Sequence, residues 1–128
     1  MTPIQQLMLG VGAKKKTYVD DVFSTYLWAG NATAARSINN GINLSGEGGM
    51  TWIKNRTTGD REHVINDTVR SAGNNLMANS TAASQSDTNK LSTFTSTGFS
   101  IGTNAYVNGS SDTYSSWSFR KAPGFFDV

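Results

Sequence analysis

The residues able to move protons are few: nine carboxylates and one histidine, His63. Glycoside cleavage would need two carboxyls facing each other roughly 5–10 Å apart, one in an apolar pocket. Asp20, Asp21, Glu47, Asp60, Glu62, Asp67, Asp87, Asp112 and Asp127 instead sit mostly beside Gly, Asn or Ser, in turn-like sequence. Asp60, Arg61, Glu62 and His63 superficially form an acid–base cluster, but a surface turn with local ion pairs explains it better. His63 opens an alternating run, where a packing role is expected. No serine lies in a G-x-S-x-G elbow, and GEGGM (46–50) lacks the Lys-Ser/Thr ending of a phosphate loop. Oxygens of Asp20–Asp21, of Asp87 with Asn89, or of Asp112 with Asn108 suit calcium, yet none has a diagnostic spacing. Zero cysteines exclude disulfides, thiol nucleophiles and cysteine zinc sites, and a single histidine excludes multi-histidine metal centres. The expectation is a protein that is not an enzyme, with no catalytic, cofactor-binding or metal-ligating residues.

The same composition says what must position whatever site exists. The 128 residues leave room for one domain. Ser, Thr, Asn and Gly supply 55 of them, while charged residues are only 16%. Small hydroxyl and amide side chains disfavour long solvated helices and favour short strands joined by tight turns. Aromatic and β-branched alternation marks strands at 17–28, 50–54, 63–69, 91–101 and 114–119, with a weaker run at Leu76 and Met77. Asn40–Gly41, inside 36–44, is a tight-turn signal. In YSSWSF (114–119), Trp117 and Phe119 share one face while Ser116 and Ser118 take the other. About seven strands at this spacing predict an all-β fold, an antiparallel β-sandwich of jelly-roll or concanavalin-like type. Trp28, Trp52 and Trp117, each in an alternating strand, are expected in its core. Exposed rings would instead stack on sugar. The net charge of +2 is too small to point to nucleic acid, and no apolar run is long enough for a bilayer-spanning helix.

The first 16 residues differ in kind. Thr2, Pro3 and Gln5 are helix-start signals. Ile4, Leu7, Met8 and Val11 then fall on one helical face, and Gly10 and Gly12 supply a stop. Such a segment is shorter than the ~12–15 residues an isolated helix needs in water, so it requires something to pack against. Residues 1–16 are therefore expected to be a helical or extended docking segment contacting a partner through Ile4, Leu7, Met8, Leu9 and Val11. Residues 17–128 are expected to be the sandwich. The positive charge follows the apolar part, the reverse of a secretory signal.

Four segments carry a family resemblance: TYVDDVFSTYLWAGN (17–31), INNGINLSGEGGMTWIKNR (38–56), LSTFTSTGFSIG (91–102) and SWSFRKAPGFFDV (116–128). They resemble a module of structural proteins of marine tailed bacteriophages, labelled tail fibre or virion proteins and often built from concanavalin-like, lectin-like sandwich units. The likeness runs from about residue 13 to the end. It implies a non-enzymatic virion structural protein, at the base of a tail fibre or appendage and anchored through its N-terminus. It further implies a homo-oligomer, three copies by analogy with fibres, assembled in the host bacterial cytoplasm with other tail or head proteins as partners. A lectin-like module for a host surface glycan and a capsid decoration protein are the alternatives. Longer relatives continue beyond the F-F-D-V segment, so the sandwich is expected to be truncated at its C-terminal end.

Overall fold

A computed structural model describes residues 16–128. In chain order these form α1 (Val19–Val22), β1 (Phe23–Ala29), β2 (Arg36–Asn39), α2 (Leu44–Glu47), β3 (Gly49–Asn55), β4 (Val64–Asp67), β5 (Asn74–Met77), β6 (Gln85–Ser86), β7 (Leu91–Thr95), β8 (Gly98–Ile101), α3 (Ala105–Asn108) and β9 (Thr113–Arg120). The strands make two antiparallel sheets, one ordered β1-β9-β3-β4-β5-β6 and the other β2-β8-β7. One apolar cluster joins them: Trp28, Ile53, Val64, Met77 and Tyr114 from the larger sheet meet Ile38, Leu91, Phe99 and Ile101 from the smaller. The expected all-β sandwich is thus the observed fold.

Several local expectations give way. The run 17–28 is not one strand, because its Val19–Val22 portion is a helical turn. Asp21 accepts a hydrogen bond from the Tyr18 amide there, a local alternative to sheet pairing. Asn40–Gly41 does not close a hairpin; β2 pairs with the distant β8. Gly41 does take the left-handed conformation (φ 86°) that the dipeptide favours, but the chain then enters α2, capped by the Asn43 side chain. The stretch 91–101 is a hairpin of two strands, β7 and β8, with a bulge between Leu91 and Thr93. The weak run at Leu76 and Met77 is β5, whose Met77 is in the core.

The largest difference is which face of the big sheet turns inward. In β9 the serine face is the buried one, with Ser116 and Ser118 fully inaccessible, and Trp117 and Phe119 point away from the second sheet. Of the three tryptophans only Trp28 belongs to the core; Trp52 and Trp117 are half-buried on the outer face. The Ser118 hydroxyl is accommodated because the interior is partly polar, whereas the buried Ser116 hydroxyl has no hydrogen-bond partner among the described residues. Asn40 Nδ2 donates to Ser118 Oγ at 2.8 Å across the two sheets, and Thr51 Oγ1 lies 3.4 Å from the same oxygen.

Candidate functional site

Side chains alternate across a strand, so register determines which residues share the outer face. Phe23 pairs with Phe119, Thr25 with Trp117 and Leu27 with Ser115 between β1 and β9. On the other side of β9, Met50 pairs with Phe119, Trp52 with Trp117 and Lys54 with Ser115. Trp52 also pairs with Ile65 on β4, and Ile65 with Leu76 on β5. Phe23, Leu27, Met50, Trp52, Ile65, Leu76, Trp117 and Phe119 therefore form one apolar strip across five strands.

The strip is packed within itself. Trp52 and Trp117 have ring centroids 5.5 Å apart, tilted by 56°. Phe119 lies 5.0 Å from Phe23 and 5.5 Å from Phe126 of the C-terminal turn. The Trp52 indole Nε1 donates to His63 Nδ1 at 2.9 Å, which requires that nitrogen to be unprotonated. Burial, and then the charge of Lys54, hold the His63 pKa below its ordinary 6.5. Leu27 (61% exposed), Leu76 (37%) and, on the terminal turn, Phe125 (47%) leave apolar surface open to solvent. Lys54 Nζ donates to the Arg61 carbonyl oxygen at 3.2 Å. The Arg70–Asp67 pair (2.6 Å) and the Lys121–Asp127 pair (3.2 Å) supply charge at the margins.

The residues with acid–base or ligand character are dispersed elsewhere. The Asp60–His63 cluster separates: His63 joins Trp52, whereas Arg61 stacks over the Tyr106 ring at 5.5 Å. Hydrogen bonding from the Tyr106 hydroxyl lowers the Glu62 pKa. Asp112 is a structural acceptor, taking bonds from Asn55 Nδ2 at 2.9 Å and Thr58 Oγ1 at 3.0 Å; the Asn55 bond is the main reason its pKa is lowered. Asn108, the other half of that suggested calcium pair, spends its side chain on Asn31, Thr33, Arg36 and Gly102. Asp87 accepts from the Asn89 amide and from Asn104. Among the described residues no three His, Asp or Glu side chains are placed to hold a metal ion.

One group had no sequence signal. Lys90 is buried, with Nζ 3.3 Å from both Asn75 Oδ1 and Gln85 Oε1, 3.9 Å from Asp87 Oδ2 and 5.0 Å from the Tyr106 centroid. Burial lowers its pKa. The ammonium ties the polar stretch 79–89 onto β5. The expected docking residues Ile4, Leu7, Met8, Leu9 and Val11 lie outside the described residues.

Fold and surface together define a two-sheet antiparallel β-sandwich that carries an aromatic strip on the outside of its larger sheet. Residues 19–125 match the model of a domain of unknown function, DUF7483, and the chain belongs to that family. No curated protein and no solved structure matches.

Proposed function

We propose that this chain is a non-enzymatic structural module of a tailed-bacteriophage virion, part of a tail fibre or similar appendage, seated against neighbouring proteins by the outer face of its six-stranded sheet. The observation that carries the assembly role is the apolar strip from Leu27 to Leu76. Its two ends, Leu27 and Leu76, are exposed and the rings between them are half-buried, and a continuous apolar strip open to solvent in this way supports a docking role. The virion setting is supported by the resemblance of 17–31, 38–56, 91–102 and 116–128 to phage structural modules. Ring geometry favours protein over sugar as the partner. Trp52 and Trp117 tilt against each other instead of lying coplanar, and the Trp52 N–H is already used by His63. Interlocked aromatics suit the centre of a protein interface.

Trp117→Ser in the phage genome tests this reading. Trp117 is only half-buried, so the variant should cost less than the ~3–5 kcal/mol of a fully buried Trp and remain folded. Its copy number in purified particles, counted by mass spectrometry, should fall severalfold. Normal incorporation would contradict the assignment, and hundreds of copies of the wild type per particle would place it on the capsid instead.

A further inference from the structure

Among the described residues the two sheets present four edges, and three are protected. The β6 edge is two residues long. The β2 edge is four residues and begins with Arg36. The β7 edge is broken by the bulge between Leu91 and Thr93. The remaining edge, β1, is seven residues, FSTYLWA, without charge or proline, and its register with β9 is unbroken from Phe23–Phe119 to Ala29–Thr113. Long, uncharged, regular edges are what sheet proteins otherwise avoid, because their free amides and carbonyls template pairing with another strand.

Parity shows which groups have no ladder partner among the described residues. The Gly30 amide donates to the Asp112 carbonyl at 2.8 Å, on the β9 side. Ser24, Tyr26 and Trp28 therefore share the β9 ladder, and the backbone groups of Phe23, Thr25, Leu27 and Ala29 face away from it. Two of those carbonyls have side-chain donors, Thr25 from Ser24 Oγ at 3.3 Å and Ala29 from Arg36 Nη1 at 2.6 Å.

We infer that β1 pairs antiparallel with β1 of a second copy, about a two-fold axis through Tyr26. That register sets Thr25 opposite Leu27 and Phe23 opposite Ala29 of the other copy. All four are residues whose backbone groups face outward, so they form hydrogen-bonded pairs. It is self-complementary, and it keeps Phe23, Thr25 and Leu27 on the outer face, so the apolar strip continues into the second copy. A one-residue slip would exchange the faces. Charge supports the same orientation. Antiparallel pairing brings Asp20 and Asp21 of each α1 turn toward the end of the other copy's β1, where the Arg36 guanidinium rests on Ala29. Parallel pairing would set the two acidic turns against each other. The inference stands apart from the identity of the partner on the outer face, and it gives a two-fold unit where likeness to fibres suggests three.

Sedimentation equilibrium of the full chain tests it, with hydrogen exchange read at Thr25 and Leu27. The wild type should sediment at twice 13.7 kDa, and exchange at those two amides should slow as protein concentration rises. Leu27→Lys charges the edge. Thr25→Pro removes a donor that β9 does not use. Each should weaken association by about tenfold or more while the near-ultraviolet circular dichroism stays native. Gln85→Lys, on the β6 edge, should leave the mass unchanged. A wild-type monomer at every concentration, a trimer, or a dimer that both variants leave intact overturns the inference. Protection of Thr25 and Leu27 in a monomer also overturns it, because residues 1–15 would then occupy the edge.

Discussion

At the residue scale, two polar contacts have consequences that can be measured. The Tyr114 hydroxyl donates to the Ala105 carbonyl at 2.6 Å and accepts from the Gly109 amide at 2.7 Å, tying β9 to the α3 segment. Tyr114→Phe keeps the ring stacked on Trp28 but strands the Gly109 amide and leaves the Ala105 carbonyl only the long bond from Asn55 Nδ2, at 3.5 Å. It should cost ~1–3 kcal/mol, read as a lower urea midpoint at unchanged slope. His63 gives a pH dependence. Its folded pKa lies below the unfolded value, so the unfolded chain binds the extra proton more tightly. Stability from this group is therefore complete above the ordinary imidazole value of 6.5 and is lost as pH falls from there toward the folded pKa. In His63→Gln the fall in melting temperature across that window should shrink. An identical slope in both proteins would mean that Trp52 does not depend on a neutral His63.

At the scale of elements, alternation in the sequence was enough to find most strands, since period-two patterns at 50–54, 63–69 and 114–119 correspond to β3, β4 and β9. It could not say which side of a strand faces inward. In 114–119 hydrophobicity alone selects the Trp117 side, yet the serine side is the buried one, where Ser118 meets Asn40 from beyond the end of β2 and Thr51 from the neighbouring strand β3. Those partners are 78 and 67 residues away in the chain, beyond the reach of any local reading. For the same reason the aromatic strip was hidden, although each of its residues was identifiable as a strand residue. The β7–β8 turn was missed because Ser96 and Thr97 look like the strand residues around them. Close approach between elements is testable at Gly30, where an added Cβ would stand 1.9 Å from the Gly109 carbonyl oxygen. Gly30→Ala should destabilise by at least the ~1–3 kcal/mol typical of overpacking, by forcing β1 and the α3–β9 connection apart. A melting temperature equal to wild type would show that this junction can relax.

At the scale of the whole molecule, the unequal sheets explain the distribution of side chains. Three strands cover only part of six, and Tyr26, on the same side of β1 as Trp28, remains 38% exposed. The interior holds a mixture of hydroxyl, amide and apolar groups, including Asn55, Asn66 and Asn75 with almost no accessible surface. Aromatic area that would ordinarily fill a core is placed outside, where burial must come from another molecule. That displacement is the physical basis of the docking assignment. Oxidative footprinting of the tryptophans, in the isolated chain and in intact particles, tests it most directly. Trp28 should be protected in both states, whereas Trp52 and Trp117 should be oxidised in the free chain and protected in the particle. Equal oxidation of Trp52 and Trp117 in the two states would contradict the account.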